Sequence, residues 1–350
     1  MQTIIHIGAH KTGSSAIQHA FHGFDDGESF YANLGEANHS NILFAAFADN
    51  PHETHYLLSA GASRDEISAL GEKGRNLLKE NLARQDRKKV IFSGEDLSRL
   101  GRGGAKRLID IVRDYSDDIL VVCYLRDPLS FAASGFQQSV KAGMTKLPGI
   151  FSPQYKTRIM AFAAVVGRDR MVVRDFQATP RNEGGVVTDF ANICHLKIPT
   201  KKIAHSNRSI SAGELKLLYL FNRTTPLHTG DATLLRARHV LIQTLSAVNF
   251  DDSPIPKDVF LEIADTAECE WLHSAFEIDY RTPLKERCVR AEDWLSDIPP
   301  EATDRLKHFL ARQGIKGNYR DDPATLMARL YYACLSAEGY DPRTNKLLFA

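Results

Sequence analysis

Three short stretches of the chain carry residue types at spacings that suit anion chemistry. The first is Ile4 to Gln18, IIHIGAHKTGSSAIQ, where an apolar run breaks into a loop bounded by Gly8 and Gly13 and then into a helical pattern. Glycines let the backbone turn tightly and bring consecutive N–H groups close to an anion, and a helix beginning at Ser14 turns its positive dipole end toward the same anion. Ser14 and Ser15 are placed to cap that helix. Lys11 adds a full charge, so the stretch reads as a cradle for a phosphate or phosphate-like group. The second stretch is Arg126-Asp127-Pro128, followed by Ser134 eight positions after the arginine. Both side chains can address one anion, the arginine through a charge-assisted fork. The third is Gly94-Glu95-Asp96. Glu95 is either a base that takes a proton from a hydroxyl nucleophile or a loop carboxylate, and Asp96 reads as a helix cap.

The flanking patterns say how these groups are held. Thr3 to Ile7, Lys89 to Ser93, Ile119 to Leu125 and Arg170 to Phe176 read as strands, and ILVVCYL is the continuous apolar run of a strand buried on both faces of a parallel sheet. Between them, helical spacing predicts helices from Ser14, over Arg64 to Arg87, Gly104 to Tyr115, Leu129 to Ala142, through Ile159, Phe162 and Val166 to Gly167, and over Gly184 to Leu196. Alternation of this kind gives an α/β fold, a mostly parallel sheet with helices on both faces, with the ligand at the carboxyl ends of the strands. Gly27 to His55 reads as a loop-rich segment. Its His39, His52 and His55 are surface histidines or, second, lining of an acceptor pocket. Ser211 and Glu214 form a capping box, and Asn207 and Arg208 before it read as structural. From Thr224 onward only helices are predicted: Thr233 to Leu245, Lys257 to Trp271, Pro300 to Ala311 and Ala324 to Leu335. The expected division is an α/β core over 1–225 and a helical C-terminal layer over 226–350.

Composition narrows the partners. With 350 residues, 44 Lys plus Arg and 43 Asp plus Glu, the net charge is +1, which gives no support to nucleic acid or an anionic membrane as a bulk partner. No apolar run approaches the ~20 residues that cross a bilayer. The five cysteines are scattered and odd in number, without metal spacing, and Cys123 inside an apolar strand reads as a core residue. With no leader pattern after Met1, a reducing cytoplasm is the expected location.

The first loop resembles a Walker A loop in spacing, but Ser14 follows Gly13 where that motif has lysine, and Lys11 stands before the glycine. Lys-Thr-Gly-Ser-Ser is similar instead to the 5'-phosphosulfate loop of sulfotransferases that use 3'-phosphoadenosine-5'-phosphosulfate (PAPS). Arg126 and Ser134 match the spacing with which that family binds the 3'-phosphate. The chain thus resembles the PAPS-dependent sulfotransferases, on the bacterial carbohydrate-modifying side, over about its first 225 residues. The resemblance implies a P-loop-like fold. It implies PAPS as co-substrate and 3'-phosphoadenosine-5'-phosphate (PAP) as product. The nucleotide is held by His10, Lys11, Thr12, Gly13, Ser14 and Ser15 at the 5' end and by Arg126 and Ser134 at the 3' end. No metal is required, Lys11 stabilises the leaving phosphate, and Glu95 is the base ahead of His39 and His10. The acceptor is a hydroxyl or amine of a small molecule or saccharide. A P-loop kinase with Glu95 or Asp96 on magnesium is the alternative, and a non-catalytic nucleotide or sulfated-ligand binder the third reading.

Overall fold

In the computed structural model the run QTIIH is a central strand, β1 (Gln2–His6), paired in parallel with β3 (Lys89–Ser93) on one side and β4 (Ile119–Leu125) on the other. β2 (Ser29–Tyr31) and β5 (Met171–Asp175) complete a five-stranded, wholly parallel sheet in the order β2-β3-β1-β4-β5. Residues 1–53, 62–84, 86–147, 149–179, 185–198, 210–225, 232–250, 255–281, 290–315, 321–338, 340–341 and 346–347 are described. In chain order the first seven helices are α1 (Ser14–Phe21), α2 (Ser40–Phe47), α3 (Arg64–Leu82), α4 (Gly101–Arg113), α5 (Pro128–Lys141), α6 (Tyr155–Val166) and α7 (Gly185–Ile193).

Strand side chains alternate between two apolar layers, as a period of two requires. Ile5, Val90, Phe92, Val121, Cys123 and Leu125 pack with α2, α3, α4 and α6, while Ile4, Ile91, Val122 and Tyr124 pack with α1 and α7. Both faces are therefore covered, and the expected α/β class and parallel sheet are what the chain forms. The loop after β1 occupies the P-loop position, between the first strand and the first helix. The connection from β1 runs to β2 on one side of the sheet, while that from β3 crosses to β4 on the other, so the carboxyl ends of β1 and β3 form a switch point of the kind at which open α/β sheets bind ligands.

Two compact units divide the chain, one of Met1–Asp127, Pro153–Ser206 and Thr266–Thr282, the other of Pro128–Ser152, Asn207–Asp265 and Pro283–Ala350. Both are discontinuous in sequence, so they do not coincide with a split into 1–225 and 226–350. The reason is α5, whose Leu129, Ala132, Phe136 and Val140 join the core of the second unit with residues of the helices Ala212–Thr224, Ala232–Ser246, Pro300–Arg312 and Pro323–Ala337. In the opposite sense, Cys269 and Leu272 of helix Cys269–Phe276 belong to the core of the first.

Two expectations need correction. The segment 27–55 is not mainly loop: Ser29–Tyr31 is an edge strand and Ser40–Phe47 a helix, whose Leu43, Ala46 and Phe47 are buried. A three-residue strand and a helix apolar nearly all round carry no clear period. Nor is 257–271 one helix. Only a 3-10 turn spans Lys257–Phe260, because the backbone beyond it is drawn into a bridge, Phe151 N–H to Ile263 O at 2.6 Å and Asp265 N–H to Phe151 O at 3.2 Å. At Ser211 the cap is present, its side chain accepting from Glu214 N–H at 3.2 Å. His55, Asn207 and Arg208 lie outside the described residues.

Candidate functional site

The carboxyl ends of β1, β3 and β4 in the first unit bring together most of the residues singled out by chemistry. β1 stays paired to β4 past its end, through Ala9 N–H to Tyr124 O and Tyr124 N–H to Gly8 O, both 2.9 Å. The chain then curls with left-handed φ at Gly8 (90°), Lys11 (66°) and Gly13 (77°). Lys11 is a non-glycine residue in a strained region, held there by Thr12 Oγ1 and Ser14 Oγ donating to Ala9 O at 2.6 and 3.3 Å. Left-handed residues spaced through a turn curl successive N–H groups into a concave nest, an anion-binding shape.

Ser14 and Ser15 are not caps. Gly13 is the N-cap residue of α1 and makes no side-chain bond, and Ser14 and Ser15 are its first two helical residues. Since Ser14 spends its hydroxyl on Ala9 O, the first amides of the helix, which have no intrahelical acceptor, are left facing the loop end for a ligand to satisfy. Both glycines also set close approaches. A Cβ on Gly8 would stand 2.8 Å from Glu95 Cα, and one on Gly13 would stand 2.8 Å from Val186 Cγ1. The loop is thus pressed directly against the turn that carries Glu95.

That turn is buttressed from α2. Ser40 Oγ accepts from Asp96 N–H at 3.1 Å, and His39 N–H donates to Ser93 O at 2.9 Å. Asp96 does not act as a simple cap: its Oδ1 takes hydrogen bonds from His10 Nε2 and Arg99 Nη1, both 3.1 Å. His10 Nδ1 in turn faces Arg158 Nη1 at 3.3 Å. A guanidinium only donates, so Nδ1 accepts and the His10 proton sits on Nε2, donated to Asp96. His10 therefore has no lone pair left for a substrate proton. Glu95 is half-buried and makes no side-chain hydrogen bond among the described residues. Desolvation raises its pKa above the ordinary carboxylate value, helped by the nearby Asp96 charge and opposed by His10 and Lys11. A carboxylate kept unpaired in a partly desolvated turn is a stronger base than one in water.

His39 is placed differently from an acceptor-pocket histidine. Its ring is wholly buried between Tyr31 and Phe92, with Nδ1 accepting from Ser93 N–H at 3.1 Å, and burial lowers its pKa to about 3. His6, equally buried, pairs its Nδ1 with Ser93 Oγ at 2.8 Å and is likewise lowered to about 3. Both are neutral in the fold but take up a proton near 6.5 once unfolded. Between 6.5 and about 3 the unfolded state binds more protons, so stability falls as pH falls, by about 2.7 kcal/mol per unit for two histidines. We expect urea midpoints to drop between pH 6.5 and 5, above the range of most carboxylates, and His39→Gln to halve that slope. A midpoint flat over this interval would contradict the buried neutral state.

Arg126 leaves the end of β4, and its Nη1 donates to Lys11 O at 3.1 Å. Its backbone is fixed by Tyr155, which donates to Arg126 O at 2.6 Å. Among the described residues it meets no carboxylate at ion-pair distance, and its buried Nε has no acceptor. Desolvation lowers its pKa. Ser134, on α5, belongs to the second unit, with its hydroxyl making no hydrogen bond among the described residues. Arg158, which the sequence reading passed over, completes the cluster in the first unit. Its signal was present: Tyr155, Arg158 and Phe162 fall at helical spacing, so a charge lies on the apolar stripe of α6.

No family model matches the chain, and no curated protein does. Among solved structures the chain is similar to a sulfotransferase from Alicyclobacillus acidocaldarius, at 14% identity and a TM-score of 0.39, over 63% of this chain and 92% of that one.

Proposed function

We propose that the chain is a PAPS-dependent sulfotransferase that moves a sulfuryl group to a hydroxyl or amine of an acceptor, a carbohydrate or glycoconjugate. The observation that carries this reading is the pairing of a left-handed, glycine-bounded loop at a helix N-terminus with a half-buried arginine, Arg126, that rests on the loop at Lys11 O and meets no carboxylate at ion-pair distance among the described residues. A partly desolvated cation without an ion-pair partner is costly, and an anionic ligand beyond the strand ends would offset that cost. A nucleotide with phosphates at both its 3' and 5' positions fits two such neighbouring anion sites. Lys11, Thr12, Gly13, Ser14 and Ser15 would hold the 5'-phosphosulfate beside His10, and Arg126 the 3'-phosphate.

The roles of the side chains follow. Glu95 takes the proton of the acceptor hydroxyl while the acceptor oxygen forms its bond to sulfur in line with the S–O bond that breaks. The electron pair of that bond stays on the nucleotide phosphate, where Lys11 and the loop amides stabilise the growing charge. Neither His39, buried and hydrogen-bonded to Ser93, nor His10, with both ring nitrogens engaged, competes with Glu95 for the proton. In the kinase alternative Glu95 or Asp96 holds magnesium; of the two, Asp96 already has its Oδ1 taken by His10 and Arg99.

Calorimetric titration with PAP, ADP and ATP, with and without magnesium, tests the reading. PAP is expected to bind best and without metal, and Arg126→Ala to remove about 10- to 100-fold of its preference over ADP, the worth of a charge-assisted hydrogen bond. Tighter binding of ATP with magnesium, unchanged in Arg126→Ala, would replace this reading with the kinase.

A further inference from the structure

Arg158 repeats the arrangement at Arg126. Each arginine uses Nη1 to hold one residue of the loop, Arg126 on Lys11 O at 3.1 Å and Arg158 on His10 Nδ1 at 3.3 Å. Arg158 Nη1 also reaches Ser98 Oγ at 3.4 Å, so both of its hydrogens are used. What remains on Arg158 is the Nε–H and the Nη2 group. Among the described residues Nε is buried without an acceptor, Nη2 has no partner, and no carboxylate lies within ion-pair distance. These two donors lie on one edge of a planar guanidinium, parallel and spaced to match two oxygens of a carboxylate, sulfate or phosphate.

Packing on this face does not by itself call for a charge. A Met or Leu at this place on α6 would continue the stripe of Tyr155, Ile159 and Phe162 without the desolvation that pulls the Arg158 pKa down. Other charges near it are Asp96, through His10, and Arg99, which is like-charged. The His10 ring fixes the guanidinium, and the turn bearing Glu95 runs past Ser98, whose hydroxyl donates to Glu95 O at 2.9 Å. We infer that the Nε–Nη2 edge of Arg158 is a second oxyanion subsite, beside the base rather than at the 3'-phosphate, taking an oxyanion of the reacting groups. That oxyanion is either the sulfuryl group of the donor or an acidic group, carboxylate or sulfate, carried by the acceptor next to its reacting hydroxyl. Only this identity rests on the sulfotransferase reading; the subsite does not.

The test is calorimetric titration of the wild type, Arg158→Gln and Arg158→Lys with PAP, with PAPS, with a uronate-bearing disaccharide and its carboxyl-reduced form on the PAP complex, and with inorganic sulfate on the free protein. Melting temperatures report folding. Arg158→Gln is expected to leave PAP affinity within about twofold and to weaken either PAPS or the uronate disaccharide by about tenfold or more, with Arg158→Lys between, because a lysine keeps the charge and loses the fork. Loss confined to PAPS assigns the sulfuryl group; loss confined to the uronate disaccharide assigns an acidic acceptor. If Arg158→Gln melts normally and binds PAPS, both disaccharides and sulfate as the wild type does, the subsite is refuted. If the wild type binds no PAP, the sulfotransferase reading fails separately, and the subsite then stands on Arg158-dependent sulfate binding or falls with its absence.

Discussion

Lys11→Met is expected to lower turnover of PAPS by about 10²- to 10³-fold, the cost of removing one preorganised donor from the charge that develops in the transition state. PAP affinity should change much less. Lys11 sits in a left-handed conformation, and the bonds that Thr12 and Ser14 donate to Ala9 O on either side of it do not involve its side chain, so methionine leaves those two bonds in place. The measurement is single-turnover sulfuryl transfer alongside PAP titration of the same variant. A variant that binds PAP normally and turns over at the wild-type rate would remove Lys11 from the chemistry and leave it as a surface charge. A variant that loses both in proportion would make the lysine a binding group with no special hold on the transition state.

Glu95→Gln is the second large effect, a fall of about 10² to 10⁴ in kcat/KM, the range of a lost general base. Glutamine keeps the volume and sits in the same turn, so Gly8 still packs on the Glu95 backbone and melting should hardly move. The pH profile separates a base from a bystander. The ionised carboxylate is the active form, so the wild-type rate rises with pH as Glu95 loses its proton. Burial raises the Glu95 pKa, which puts that rise above the ordinary 4.5. The limb should vanish in Glu95→Gln. Were the variant to retain both the rate and the acid limb, the proton would have to leave by another group. That group would not be His39, whose pKa of about 3 and full burial remove it from solvent, and His10 would first have to break from Asp96 or Arg158.

Strands β3 and β4 could be read to the residue because runs such as KVIFS and ILVVCYL are β-branched, apolar and bounded by charge, and a strand covered on both faces needs nothing else. Where the local signal was short or uniform the reading failed, as at Ser29–Tyr31 and Ser40–Phe47. Without a period, only the neighbouring strand and the start of α2 at His39 decide the conformation. Ser14 and Ser15 show a different limit. Serine before an amphipathic run reads as a cap, but a left-handed Gly13 takes the cap position once the loop folds back on Ala9.

The amino-acid sequence by itself determined the α/β alternation, the cradle from Gly8 to Ser15, and the strand-end positions of Glu95 and Arg126, since each depends on residues close in the chain. Tertiary structure alone decided which histidine nitrogens are already engaged. His39 is held by Ser93 between two aromatic rings, and His10 by Asp96 and Arg158, partners 86 and 148 positions away. It also decided that Arg158, one charge on an apolar stripe, turns back to the loop with an edge that has no partner among the described residues. Burial and hydrogen-bond partners across such distances set pKa and availability, and no local pattern encodes them.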